Sequence, residues 1–109
     1  MLKANGIPVV AIRVFAAVGR HGNFTRAAAA LGITQSAVSR HIATLESLAS
    51  QALFVRKGPN VAFTPEGSQY YEAVRDAVLT IELATQQLVQ KQQSFPSLLL
   101  QDLLDVFWT

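Results

Sequence analysis

Four side chains close together in the first half of the sequence are built for hydrogen bonding rather than for making or breaking bonds: Gln35, with Ser36, Ser39 and Arg40 one, four and five positions after it. Glutamine offers a paired donor and acceptor, arginine a planar fork of donors, and serine a small hydroxyl that serves either way. At that spacing they share one side of a helix. Such a set matches the edges of base pairs in a DNA major groove. Glutamine fits adenine, arginine fits guanine, and short serines let a helix sit deep. Nearby, Thr25, Arg26 and Thr34 bring hydroxyls, a guanidinium and the free N–H groups of helix starts, which suit phosphate.

Other chemistries find little support. The chain has no cysteine, which removes thiolate metal sites and disulfides and fits a reducing compartment. Its two histidines, His21 and His41, have no acid at the spacing of a triad or metal site. His21 fits a favourable charge at a helix end, and His41 a phosphate contact when protonated. The six glycines are scattered and form no phosphate loop. The expectation is therefore no enzyme, no catalytic residues, no metal and no cofactor.

The net charge of +2 conceals a gradient. Through Lys57 there are seven basic residues against one acid, Glu46; from Gly58 onward there are two against six. A basic first half joined to an acidic second half points to a polyanion partner for the first. The N-terminus lacks the pattern of a signal peptide, and Arg13 interrupts the apolar run Val9 to Val18, so a cytoplasmic chain with no membrane partner is expected.

These side chains need elements to position them. At 109 residues, half of them hydrophobic, the chain suffices for one compact domain. Pro8 suits the first turn of a helix carrying Val10, Val14, Phe15 and Val18 inward and stopping at Gly22. Thr25 is the expected N-cap of a short helix, Arg26 to Leu31, ended by Gly32. Thr34 caps a second, from Gln35 to about Ala49, with Ala37, Val38, Ile42, Leu45 and Leu48 facing in. The runs Leu53 to Val55 and Val61 to Phe63, around Lys57-Gly58-Pro59-Asn60, predict a small β-hairpin. Thr64-Pro65-Glu66 then opens a long helix to about Gln92. On it Tyr70, Val74, Ala77, Ile81, Ala84 and Leu88 recur every three or four residues as a coiled-coil seam, widened by Tyr71, Val78 and Val89. So broad an apolar face on so long a helix points to a second chain, hence a homodimer or higher oligomer.

Two short helices joined by Gly32-Ile33-Thr34 are the signature of a helix-turn-helix. Ala28 is small enough for close approach, and Leu31, Ile33, Val38 and Ile42 fill the wedge between the helices. The fold expected is mainly α: a winged helix-turn-helix of three helices plus a β-hairpin wing over residues 1–64, a dimerisation linker helix over 65–92, and a short apolar tail over 93–109.

The stretches Ile12-Arg13-Val14-Phe15, Gly22 to Ala28, Thr34 to Ile42 and Leu45-Glu46 resemble the N-terminal domain of LysR-type transcriptional regulators, and Leu53-Phe54, Arg56 and Thr64 to Gly67 continue the match in register. The resemblance covers roughly Ile7 to Val89. It implies a bacterial double-stranded-DNA-binding regulator that dimerises through its linker helix, with the positions of Gln35, Ser36, Ser39 and Arg40 facing bases. It places Thr25 and Arg26 near the DNA backbone, where Thr34, His41, Arg56 and Lys57 are also expected. Tyr70, Val74, Ala77, Val78, Ile81, Ala84 and Leu88 are the expected dimer interface.

Three features depart from the family pattern. Ala49-Ser50 replace Leu-Gly after the recognition helix, so its end is expected to be looser or longer. Pro59, followed by Asn60, stands where the wing usually bears an arginine, leaving Lys57 as a substitute. The family's ligand-sensing α/β domain has no counterpart before Thr109, so no small-molecule inducer site is expected in this chain. Pro96 is expected to break the long helix, leaving Ser97 to Trp108 as a short amphipathic helix with Gln101, Asp102 and Asp105 toward its polar side. Three readings of that tail stay open: it folds back on the linker helix, binds a partner, or is the stub of a truncated gene. Two functions stay open with it, a DNA-binding regulator and an interaction protein that draws longer relatives into heterodimers.

Overall fold

A computed structural model of the chain describes the backbone of residues 6–108 and the side chains of residues 6–91. Its elements are α1 (Val9–His21), α2 (Phe24–Leu31), α3 (Gln35–Ala49), β1 (Phe54–Lys57), β2 (Asn60–Phe63) and α4 (Pro65–Trp108). They fall into two compact units, Met1–Val78 and Leu79–Thr109.

The first unit is built on α1. Pro8 stands just before that helix rather than in its first turn, and its carbonyl opens the ladder by accepting from the Ile12 N–H at 3.0 Å. Ala11, Val14, Phe15 and Val18 then fall on one buried face, as the 3.6-residue period requires, whereas Val10, expected inward, and Ile33, expected in the wedge between α2 and α3, are exposed. The Phe15 ring is the centre of the core: it lies 5.2 Å from Phe54, 5.2 Å from Tyr70, 6.1 Å from Phe63 and 6.3 Å from Tyr71, centroid to centroid. One side chain thus joins the first helix, the hairpin and the start of α4. Val38, Ile42 and Leu45 of α3 and Ala27 and Ala28 of α2 complete that core. Leu48, expected to face inward, is exposed and lines an apolar cleft of about 360 Å³ with Ile7, Pro8 and Tyr70. It lies past the last turn of α3 that the core covers.

The helix ends show which local signals win. Asn23, not Thr25, caps α2: its Oδ1 accepts from the Arg26 N–H at 2.9 Å, and the helix begins at Phe24. Beginning there buries the Phe24 ring. Thr34 caps α3 as expected, accepting from the Ala37 N–H at 3.1 Å, and Gly32 closes α2 in the left-handed conformation. α3 is neither looser nor longer at its end. Ser50 takes the left-handed conformation (φ 54°) usually left to glycine, and the Ser50 and Gln51 N–H groups return to Ser47 and Glu46 carbonyls at 3.2 Å each.

The hairpin pairs Phe54 with Phe63, Val55 with Ala62, Arg56 with Val61 and Lys57 with Asn60. Gly58 has φ +62°, while the Pro59 ring confines its own φ to negative values. A positive φ at only the first of two central residues makes this a type II′ turn, whose twist suits a tight hairpin. Glu46 fixes where the hairpin starts, its carboxylate accepting from the Leu53 N–H at 2.7 Å and the Phe54 N–H at 3.3 Å. Thr64 then caps α4, accepting from the Gly67 N–H at 3.0 Å and donating to the Ala52 carbonyl at 2.7 Å. Gly67 has no room for a side chain, because a Cβ there would collide with the Leu53 carbonyl.

Within this unit Tyr70, Tyr71 and Val74 pack on the core and Val78 is buried. Tyr70, Val74 and Val78, expected in an intermolecular seam, are thus covered at least in part by their own chain. Burial also raises the Tyr70 phenol above its ordinary pKa.

In the second unit, Ile81 and Leu88 of the seam are exposed, as is Ala84. Leu79 and Leu83 are exposed as well, about 160° around the helix from Ile81 by the 3.6-residue period. α4 continues through Pro96 to Trp108, where the sequence predicts a break. A proline removes one N–H and crowds one carbonyl. A helix rich in formers on both sides (Gln92 and Gln93 before, Leu98 to Gln101 after) carries on across that single lost bond. The amphipathic sides expected for residues 97–108 fall on side chains outside the described residues.

Candidate nucleic-acid interface

The amino-terminal half of α3 carries the polar surface. With Val38, Ile42 and Leu45 turned into the core, the helical period leaves Gln35, Ser39, Ser36 and Arg40 on an arc of about 140° away from it. Gln35, Ser36 and Arg40 are exposed and Ser39 half-buried. Ala43 lies within the same arc and adds no bulk, so a groove floor would meet small side chains between the long Gln35 and Arg40. His41 is not on this arc. It is half-buried, about 170° from the middle of the arc, because each residue of a helix turns by about 100°.

Hydrogen bonds tie this surface together. Gln35 Nε2 donates to Thr25 Oγ1 at 2.8 Å, linking the first residue of α3 to the second of α2. Thr34 Oγ1 lies 3.2 Å from Ser36 Oγ while it caps the helix. Thr25 and Arg26 are exposed at the start of α2.

The wing is latched to the turn before α2. Asn23 Nδ2 donates to the Pro59 carbonyl at 3.0 Å and to Asn60 Oδ1 at 3.2 Å, and the Val61 N–H donates to the Gly22 carbonyl at 3.0 Å. Asn23 therefore does two jobs: its amide oxygen caps α2 and its amide nitrogen holds the hairpin tip. The sequence carried the signal, an asparagine just before a helix, but Thr25 two residues later competed with it. Lys57 is exposed on the last residue of β1. Arg56 lies over the Phe24 ring at 4.1 Å from its centroid, a cation–π contact that steadies the guanidinium at the start of α2. No pattern along the chain announces that pairing.

Among the described residues no group of three His, Cys, Asp or Glu could hold a metal ion. No helix among them is long and apolar enough to cross a membrane.

A family model described as "Bacterial regulatory helix-turn-helix protein, lysR family" matches residues 9–68. The chain is 40% identical over 81 residues to the glycine cleavage system transcriptional activator of Escherichia coli (strain K12), a match covering 74% of this chain and 27% of that protein. It is 39% identical over 71 residues to the HTH-type transcriptional activator AmpR of Citrobacter freundii, covering 65% of this chain and 24% of the relative. The chain thus spans about a quarter of the length of these relatives. Among solved structures it is similar to a CbnR_DBD–DNA complex, with a TM-score of 0.61 and 25% identity, covering 81% of this chain and 98% of that one. It is also similar to a BenM_DBD/benA site 1 DNA complex, with a TM-score of 0.60 and 29% identity, covering 82% and 99%.

Proposed function

This chain belongs to the lysR family of bacterial regulatory helix-turn-helix proteins, and from that premise we propose that it is a sequence-specific reader of double-stranded DNA, acting as a dimer in transcription regulation. The observation that carries the reading is the polar arc of α3, with Gln35, Ser36 and Arg40 exposed on a helix whose other side is locked into the core. In this reading α3 enters the major groove, Gln35, Ser36, Ser39 and Arg40 meet base edges, and Thr25, Arg26, Thr34 and Lys57 meet the backbone. Arg56 reaches phosphate from its perch on Phe24. Residues 1–64 are the reading module, and α4 pairs two of them through Ala77, Ile81, Ala84 and Leu88. Such a regulator works where the bacterial chromosome is, in the cytoplasm.

Selection from a random duplex pool tests this directly. The enriched site has two-fold-related half-sites about 34–36 Å apart or a multiple of that. Affinity falls steeply with salt as phosphate contacts release counterions. Arg40→Ala costs about 1–3 kcal/mol and relaxes the preference at one base position. A pool in which no duplex is enriched overturns the reading.

The exposed Ile81 and Leu88 favour a second reading, capture of longer relatives into mixed dimers. Co-expression with a full-length family member, followed by a measurement of solution mass, separates the two: only the second predicts that mixed dimers outnumber homodimers.

A further inference from the structure

We propose that Thr25 is a positioning residue for base recognition, its hydroxyl holding the Gln35 carboxamide in the pose that reads a base while itself contacting phosphate. The inference rests on the reading that Gln35 faces a base and adds what fixes its aim.

The contact joins residues ten apart in sequence, the second of α2 and the first of α3, both exposed. The spacing of their backbones does not depend on it. The α2–α3 turn is set by Gly32, by the Ile33 N–H donating to the Ala28 carbonyl at 3.1 Å, and by the Thr34 cap. What the hydroxyl adds is an orientation for a side chain with several freely rotating bonds. A glutamine that must be immobilised on meeting a base loses rotamer freedom, and one already held loses less.

The chemistry leaves the right groups free. The Gln35 amide nitrogen carries two hydrogens, and one is given to Thr25 Oγ1 at 2.8 Å. The second hydrogen and Oε1 remain as an adjacent donor and acceptor, the pattern that adenine answers with N7 and its N6 amino group. Thr25, accepting through a lone pair, keeps its own proton to donate to a phosphate oxygen. One hydroxyl then stands between the backbone contact that sets the register and the side chain that chooses the base.

The test uses the full chain and the duplex it enriches from a random pool. Base-preference profiles are measured by competition for the wild type, Gln35→Ala, Thr25→Val, Thr25→Ser and the double variant Thr25→Val/Gln35→Ala. Gln35→Ala is expected to remove roughly tenfold preference at one position of each half-site. Thr25→Val lowers the preference at that same position by about threefold or more, over and above a uniform loss of affinity. Thr25→Ser restores it, and the double variant matches Gln35→Ala at that position. If Thr25→Val weakens all sites evenly and leaves the Gln35 position intact, Thr25 is a phosphate contact only and the proposal fails. It fails equally if Thr25→Ser behaves like Thr25→Val, since the hydroxyl is then irrelevant. If Gln35→Ala itself alters no position, the underlying assignment of Gln35 is what has failed. Thermal melts of each variant, with Thr25→Ala standing in if the valine does not fold, keep loss of structure apart from loss of aim.

Discussion

Among the described residues, large apolar side chains are buried only in the first unit, although Ile7, Val9, Val10, Leu48 and Val55 of that unit stay exposed as those of the second do. In the first, Phe15, Val18 and Val38 are 0% exposed; in the second, Ile81 keeps 57% and Leu88 67% of its surface in solvent. Hydrophobicity is the same in both, so composition cannot explain the difference. Three helices and a hairpin give Phe15 neighbours on all sides, whereas the described side chains of the second unit all sit on a single helix. Burying large aliphatic side chains is worth roughly 25 cal/mol per Å² of apolar surface. The buried core of the first unit has gained that stabilisation within the chain, and the exposed aliphatic side chains of residues 79–91 still have it to gain. In the proposed function a second α4 supplies it.

The strongest way to break the first half of this contrast is Phe15→Ala. Four aromatic rings lie around Phe15, so the substitution leaves a cavity that none of them can fill alone. A loss of about 3–5 kcal/mol is expected, read by chemical denaturation. The second half is tested by Ile81→Glu with Leu88→Glu. Each chain's first unit should unfold within about 0.5 kcal/mol of the wild type, because these side chains add nothing to its core. The dimer, by contrast, should dissociate at least about tenfold more readily, equivalent to about 1.4 kcal/mol, by sedimentation. A double variant that stays dimeric removes α4 from the interface.

Two smaller effects sharpen the account of the first unit. Asn23→Ser keeps a capping oxygen for the Arg26 N–H but abolishes the donor to Pro59 and Asn60. It should cost about 1 kcal/mol, and Asn23→Ala about 1 kcal/mol more because the cap goes too. An Asn23→Ser as stable as the wild type would mean that the latch to the wing contributes nothing, and equal losses for both variants that the cap contributes nothing. The smallest effect is at Tyr70. Its folded pKa lies above the ordinary value of 10.0 because burial disfavours the phenolate. Its contribution is therefore complete below that value and is lost as pH rises through the folded pKa. Between pH 9 and 11, roughly, stability should fall less steeply in Tyr70→Phe than in the wild type, as compared by urea melts.

Much of this was legible from the residues alone, and the reason is that the signals are local. Thr34 announces α3, Gly32 closes α2, Thr64-Pro65 opens α4, and Gly58-Pro59 turns the hairpin, each through hydrogen bonds or φ values within a few residues. The polar arc of α3 follows from the positions of Val38, Ile42 and Leu45 and a fixed helical period. Other outcomes were decided only by the folded chain, because distant groups compete for the same partner. Asn23 outranks Thr25 as a cap once Pro59 and Asn60 anchor its other end. Arg56 rests on Phe24 from a strand that begins beyond α3. Tyr70 and Val74 carry the same repeat as Ile81 and Leu88, yet the first pair packs against the core of its own unit while Ile81 and Leu88 are exposed. A heptad pattern states that a face must be covered. Only the tertiary structure decides which part of it the chain covers itself, since that depends on where the core ends and not on the pattern.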